Sequence, residues 1–409
     1  MSVLVLVTLA ALAVLNYRVC RDFRYPPVLM SLIWLIAMTV YYLSPLEIDS
    51  IGLLTALIFL SALIAFSGGA YFALDLFGRG DRPGFPHLAS LASPSAHPQL
   101  KIIFLVLSVA LLPLIVQKAL QLAAQSSSDV FFSALRGELL AGDSKGYGRL
   151  SYAPLLSYFT TFVYAIESRS SRGERLQYCL SLAASFAYAV LSTGRTYLFL
   201  ILAVLAGVFL MQGRFRFRTF IVSALVFLLS FAFLGIAMSK GGSPDASWTD
   251  NVSSIGESLL IYAEGPIPAF DKVVRKDAPL EYGENTFIGP LNLLRRLAGK
   301  SYLSAIQEEV NVPFPINVYT GVHPVYKDFG IVGVILAFAI IGAAWTYSYS
   351  KSLAGDRLHI FYYALALFPL LFMTFSDQCF APMMTWIMFG SAAYFYFRTG
   401  KGCQQPLSI

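Results

Sequence analysis

Long apolar runs separated by short polar connectors organise this chain. "VLVLVTLAALAVL", "LLTALIFLSALIAF", "IIFLVLSVALLPLIV" and "IVGVILAFAIIGAAW" contain no charged residue. A hydrocarbon core of about 30 Å needs roughly 17–25 apolar helical residues, and a helix satisfies its own backbone hydrogen bonds in lipid. The pattern therefore predicts an all-α, polytopic helical membrane protein. It places about eleven spans, at roughly 2–16, 27–43, 50–74, 101–121, 152–166, 176–192, 195–211, 219–238, 326–348, 358–374 and 380–397. Helices 1 to 8 then occupy roughly 1–238, a large loop 239–325, and helices 9 to 11 with a short tail 326–409.

The loop between the eighth and ninth spans is not filler. "SSIGESLLIY" and "IGPLNLLRRL" carry apolar residues at helical spacing, which predicts a cap of short helices. The chain shows no internal repeat, which argues against transporter folds built from repeated halves.

Connector charge sets the orientation. "NYRVCRDFR", "GRGDRP", "ESRSSRGER", "QGRFRFR", "SKSLAGDR" and "RTGKG" are basic, whereas "SPLEID" and "FSDQC" hold acids and no Lys or Arg. Basic short loops stay in the cytoplasm, so the N-terminus is expected outside, the C-terminus inside, and the large loop on the outer face. No basic residue precedes the first apolar run, which reads as a span rather than a cleaved signal. Composition agrees: 57% of residues are hydrophobic and 13% charged, against roughly 25% charged in soluble domains. The net charge of +6 is accounted for by inner loops facing anionic lipid, so no nucleic acid is expected as a partner. Cys20, Cys179, Cys379 and Cys403 share no spacing that would imply disulfides or a metal site.

Arg195, in "LSTGRTYLFL", breaks the pattern. It falls in a short outer connector where topology gives no reason for a cation. One reading is an interfacial arginine whose head reaches water. The other is an anion site, because a helix begins there and its N-H groups and dipole favour phosphate beside a guanidinium. A second constellation stands where the large loop re-enters the membrane: Tyr319, His323, Tyr326, Lys327 and Asp328 in "NVYTGVHPVYKDFGIVG". His323 is the leading proton acceptor, since histidine titrates near neutral pH. Glu47, Asp49, Glu257 and Glu264 are further carboxylate candidates. Gly330 and Gly333, three apart, are expected to let another helix pack closely. No Asp-x-Asp pair, phosphate-binding glycine loop or His-Glu-x-x-His is present, so neither a metal nor a cofactor is expected.

"STGRT", "YAEGPIPAFD", "GENTFIGPLNLLRRL" and "YKDFGIVG", in this order, resemble the O-antigen polymerase family of bacterial oligosaccharide repeat-unit polymerases. The resemblance implies a metal-independent glycosyltransferase of the inner membrane acting at its periplasmic face. Its substrate would be undecaprenyl-pyrophosphate-linked oligosaccharide in the lipid bilayer, and a chain-length regulator would be a partner. Arg195 would contact pyrophosphate, and His323 would take the acceptor proton. Arg136, Arg275, Arg296, Lys327 and Asp328 would bind substrate, and Tyr262, Tyr319 and Tyr326 would stack on sugars. The related alternatives are an O-antigen ligase, which delivers finished glycan to lipid A core, and a flippase for the same lipid-linked sugar.

Overall fold

The computed structural model describes residues 2–46, 48–77, 95, 97–126, 130–140, 146–167, 171–214, 248–276, 278–304 and 307–399. These form α1 (Ser2–Cys20), α2 (Pro26–Tyr42), α3 (Leu53–Phe77), α4 (Pro98–Ala123), α5 (Phe131–Leu140), α6 (Tyr152–Ile166), α7 (Arg172–Leu191) and α8 (Arg195–Met211). There follow α9 (Trp248–Glu264), α10 (Pro266–Lys276), α11 (Ile288–Leu297), α12 (His323–Leu353), α13 (Arg357–Phe372) and α14 (Met383–Arg398). A two-residue antiparallel pairing, Val310–Asn311 with Pro315–Ile316, precedes α12.

The protein is mostly helical, and α1, α3, α4 and α12 are long and apolar enough to cross a membrane; α2, α8 and α13 are shorter apolar helices. Helices lie where the expected spans fall, except 219–238, which is outside the described residues. The two loop helices expected from periodicity are present as α9 and α11, and α10 joins them.

The chain divides into two compact units. The first comprises Met1–Phe85, Leu259–Ala354 and Leu365–Gly390. Its central pair is α3 with α12. A methyl group built at Gly69 would stand 1.9 Å from the Ala339 carbonyl oxygen, and one at Gly342 would stand 2.1 Å from that of Phe66. The two backbones touch where side chains are absent, which is how helices gain van der Waals contact in lipid. Gly330 and Gly333 do not make this contact. Gly330 has φ 64° and ψ −160° and breaks α12, a conformation essentially restricted to glycine. A methyl at Gly333 would meet Phe329 of its own helix at 2.2 Å. Spacing alone could not separate a hinge from a packing face.

Buried polar groups tie α1, α2 and α3 together. Asn16 Nδ2 donates to Ser31 Oγ at 2.9 Å and to Ser67 Oγ at 3.1 Å, and Tyr71 donates to Asn16 Oδ1 at 2.5 Å. The "PIPAFD" motif opens α10, which is buried along Pro266–Asp271. Its Asp271 accepts from Gly52 N at 2.7 Å and Thr55 Oγ1 at 2.6 Å, so a carboxylate caps the start of α3. Negative charge is favoured at a helix N-terminus.

The second unit comprises Pro86–Ser258, Gly355–Ala364 and Ser391–Ile409. Ser185 of α7 bonds Ser157 and Thr161 of α6 at 2.9 and 2.8 Å. Lys101 of α4 pairs with Glu167, just past α6, at 2.8 Å; both are buried, and Tyr396 donates to the second Glu167 oxygen at 3.1 Å. The paired charges satisfy each other where neither could be left alone. Ser171 and Glu174 form a capping box that starts α7.

Gly69→Ala and Gly342→Ala should each destabilise the protein by about 1–3 kcal/mol through overpacking. Gly68, whose added methyl meets nothing within 4 Å, is the matched control. Gly68→Ala should be neutral or stabilising by up to about 1 kcal/mol, from helix propensity. Thermal unfolding in one detergent compares the three.

Candidate functional site

At 31 residues, α12 is longer than a bilayer crossing requires. Gly330 breaks the helix ahead of the apolar run "IVGVILAFAIIGAAW", so His323, Tyr326, Lys327 and Asp328 stand before that run on a separate helical head. That head, the segment before it, α10 and the 278–281 and 307–310 stretches enclose a cavity of about 460 Å³. Tyr319, His323, Tyr326 and Lys327 all line it. The residues that sequence reading grouped near re-entry therefore do converge.

His323 is held by rings. Tyr319 stacks on it with centroids 4.3 Å apart and planes 17° from parallel, and Phe270 of α10 meets it edge-on at 6.4 Å. Phe270 also packs at 5.4 Å against Tyr326 and at 5.2 Å against Phe59 of α3. The Tyr319 hydroxyl donates to the Glu308 carbonyl at 2.9 Å, fixing the stacked ring. Burial, reinforced by the Lys327 cation and opposed by Asp328, lowers the His323 pKa to about 3. His323 is thus a neutral imidazole at physiological pH, fit to accept a hydrogen bond but weak as a base.

Asp328 has a different setting. Its carboxylate is fully buried and accepts from Asn285 N, Asn285 Nδ2 and Thr286 N at 2.6–3.2 Å. Glu281 N and Tyr282 N also donate to the carbonyls of Lys327 and Asp328, each at 3.2 Å. The "EYGENTF" loop is sewn to the α12 head by these bonds. Lys327 pairs with Glu281 at 3.0 Å at the cavity rim.

The remaining expected residues lie elsewhere. Arg275 is exposed, pairs with Asp271 at 2.5 Å and donates to the Ser50 carbonyl at 3.0 Å. Arg296 is exposed on α11, and its neighbour Arg295 donates to the Ser301 carbonyl at 2.6 Å. Tyr262 of α9 packs edge-on against Phe375 at 5.6 Å. Among the carboxylate alternatives, Asp49 pairs with Lys272 at 2.6 Å, Glu264 is buried and takes a hydrogen bond from Ser44, Glu257 is exposed, and Glu47 is outside the described residues.

Arg136 and Arg195 belong to the second unit. Arg195 is the first residue of α8, after Gly194 at its N-cap. The preceding turn holds Thr193 at φ 53°, uncommon for a β-branched residue. Two bonds brace it: Arg136 Nη1 donates to the Thr193 carbonyl at 3.0 Å, and Tyr147 to the Leu191 carbonyl at 2.6 Å. Arg136 thereby shapes the turn that sets Arg195 at the helix start.

Sequence reading passed over several cavity residues. Lys276, Glu281, Gln307 and Glu308 line the main cavity. Asp377, in the "FSDQC" connector, lines an adjoining cavity of about 220 Å³ with His323 and Tyr319. The one local signal for Asp377 is a carboxylate followed by a turn whose N-H groups it can hold. No group of three or more His, Cys, Asp or Glu side chains among the described residues is placed to hold a metal ion.

Over 258 residues the chain is 27% identical to a Shigella dysenteriae protein named O-antigen polymerase. The chain is similar to an O-antigen polymerase. The match covers 62% of this chain and 62% of that relative, so the chain matches less than two thirds of the O-antigen polymerase's length. No protein-family model matches the chain, and no solved structure matches it.

Asp328→Ala should release the 281–287 loop by orphaning three buried N-H donors, costing about 3 kcal/mol or more. Hydrogen exchange should then accelerate at Asn285 and Thr286 before it does along α3.

Proposed function

We propose that the protein is a polysaccharide polymerase that joins undecaprenyl-pyrophosphate-linked repeat units at the periplasmic face of the bacterial inner membrane. The observation that carries this reading is the cavity on the α12 head. A neutral imidazole, aromatic rings and paired Lys–carboxylate groups surround a space of about 460 Å³ in a mostly helical, apolar protein. Sugars are bound by such sets, in which rings meet C–H faces and charged pairs both donate to and accept from hydroxyls. The similarity to an O-antigen polymerase supports the same reading.

The chemistry is glycosyl transfer. An acceptor hydroxyl oxygen bonds to the anomeric carbon of the donor glycan. The bond from that carbon to pyrophosphate breaks, and its electron pair leaves on the lipid pyrophosphate. His323, neutral and fixed by Tyr319, accepts a hydrogen bond from the acceptor hydroxyl and aims its lone pair. Tyr326 and Lys327 position the sugar. In the second unit the Arg195 turn is the anion-binding element, matching charge that grows on a leaving pyrophosphate.

The experiment is elongation by purified protein in liposomes, supplied with lipid-linked single repeats from a polymerase-deletion strain. Longer glycans on the lipid carrier are expected. Transfer solely to lipid A core would make the protein a ligase, and movement across the bilayer without a new bond would make it a flippase. Arg195→Ala should reduce elongation roughly a hundred- to a thousandfold, the cost of losing one preorganised donor. Arg195→Lys should rescue poorly, since lysine lacks the planar fork. His323→Ala should lower kcat more than it raises KM, as expected for a group that aims the attacking oxygen.

A further inference from the structure

The smaller cavity beside His323 has the chemistry of a sugar subsite. Gln307, Tyr319 and His323 line both it and the main cavity, so the two adjoin. Gln307, Asn317 and Gln378 contribute carboxamides to its lining, and Asn285, whose amide N-H groups are held by Glu281 and Asp328, lines it as well. Each carboxamide both donates and accepts, which matches sugar hydroxyls. Asp377 supplies the cavity's carboxylate. Its Oδ1 accepts from Cys379 N at 3.0 Å and Phe380 N at 2.8 Å, and its Oδ2 from Ala381 N at 2.8 Å. Backbone thus fixes the side chain: two N-H groups occupy Oδ1, and Oδ2, with one, keeps a lone pair for a further partner.

We infer that this cavity holds the acceptor sugar and that Asp377 takes the proton of its attacking hydroxyl. The inference rests on the polymerase reading and names the proton's destination within it. As the acceptor oxygen bonds to the anomeric carbon, its O–H bond breaks toward an Asp377 oxygen, and the pair from the cleaved bond leaves on pyrophosphate. His323 orients the same hydroxyl from the other side.

Titration supports the division of labour. Burial, partly offset by the three N-H donors, raises the Asp377 pKa to about 6, near the value useful for proton transfer at neutral pH. The other titratable groups at this place are His323 and Tyr319, which line the cavity, and Cys379 of the same connector. No lysine, arginine or second carboxylate lines it among the described residues. Asp377 must be ionised to accept a proton, so activity is present above its pKa and lost as pH falls through it.

The test is the pH dependence of kcat/KM in the liposome elongation assay, with the same lipid-linked single repeats. Wild-type protein should lose about tenfold per unit below pH 6. Activity that stays level to pH 4.5 would remove Asp377 and return the proton to His323. Asp377→Asn keeps an oxygen for the Cys379 and Phe380 N-H groups. It should lower kcat at least a hundredfold, with KM for the repeat unit changed less than threefold and the melting profile retained. Asp377→Glu should restore part of the rate and move the acid limb. Wild-type rates from Asp377→Asn would overturn this inference and leave the polymerase reading standing. A wild-type protein that extends nothing would overturn both.

Discussion

The backbone contact between α3 and α12 is the constraint on which the first unit depends. Lipid supplies no hydrophobic force between helices, so association rests on close packing and buried polar bonds. Gly69 and Gly342 let each helix backbone reach a carbonyl of the other, and the Asn16 network fastens α1 and α2 to the same α3. Position then passes along both helices to one end. At the start of α3, Asp271 holds α10 and with it Phe270. At the start of α12, past the Gly330 break, stands the His323 head. Phe270 touches Phe59, Tyr326 and His323, so the ring that closes the site also reports on the helix contact.

Charge around the main cavity comes in pairs: Lys327 with Glu281, Lys276 with Glu308, and Lys272 with Asp49 nearby. Exposed pairs of this kind add little stability. Their value is in what they accept. A rim of balanced pairs attracts neither strong anions nor strong cations, yet offers many donors and acceptors, which suits an uncharged sugar. The anion task proposed for the Arg195 turn belongs to a differently built element, where a helix start and a guanidinium add.

The fold was legible wherever a pattern is periodic. Apolar runs located helices, and helical spacing found α9 and α11 inside the loop. The site was half legible: Tyr319, His323, Tyr326 and Lys327 are neighbours in sequence and converge in space. What stayed hidden depends on partners far along the chain. Asp328 reads as a free carboxylate until the loop 43 residues earlier delivers its N-H groups. Gly69 sits in an ordinary "SGGA", and nothing local shows that Ala339 will press on it while Gly68 faces open space. Asp377 followed the charge rule for an outer connector, and that sufficient explanation concealed a second one.

Dehydration acts on His323 and Asp377 with opposite signs, and this gives their shared cavity a direction. Removing water penalises whichever form is charged. For His323 that form is the protonated one, so its proton affinity falls; for Asp377 it is the deprotonated one, so its affinity rises. The Lys327 cation pushes His323 further the same way, whereas the N-H groups on Asp377 keep its carboxylate from becoming permanently protonated. A hydroxyl lying between such a pair can give a hydrogen bond to either, but giving up its proton costs less toward the carboxylate. Burial therefore separates, in the proposed mechanism, two tasks that either residue could perform in water: the imidazole holds and aims, and the acid receives.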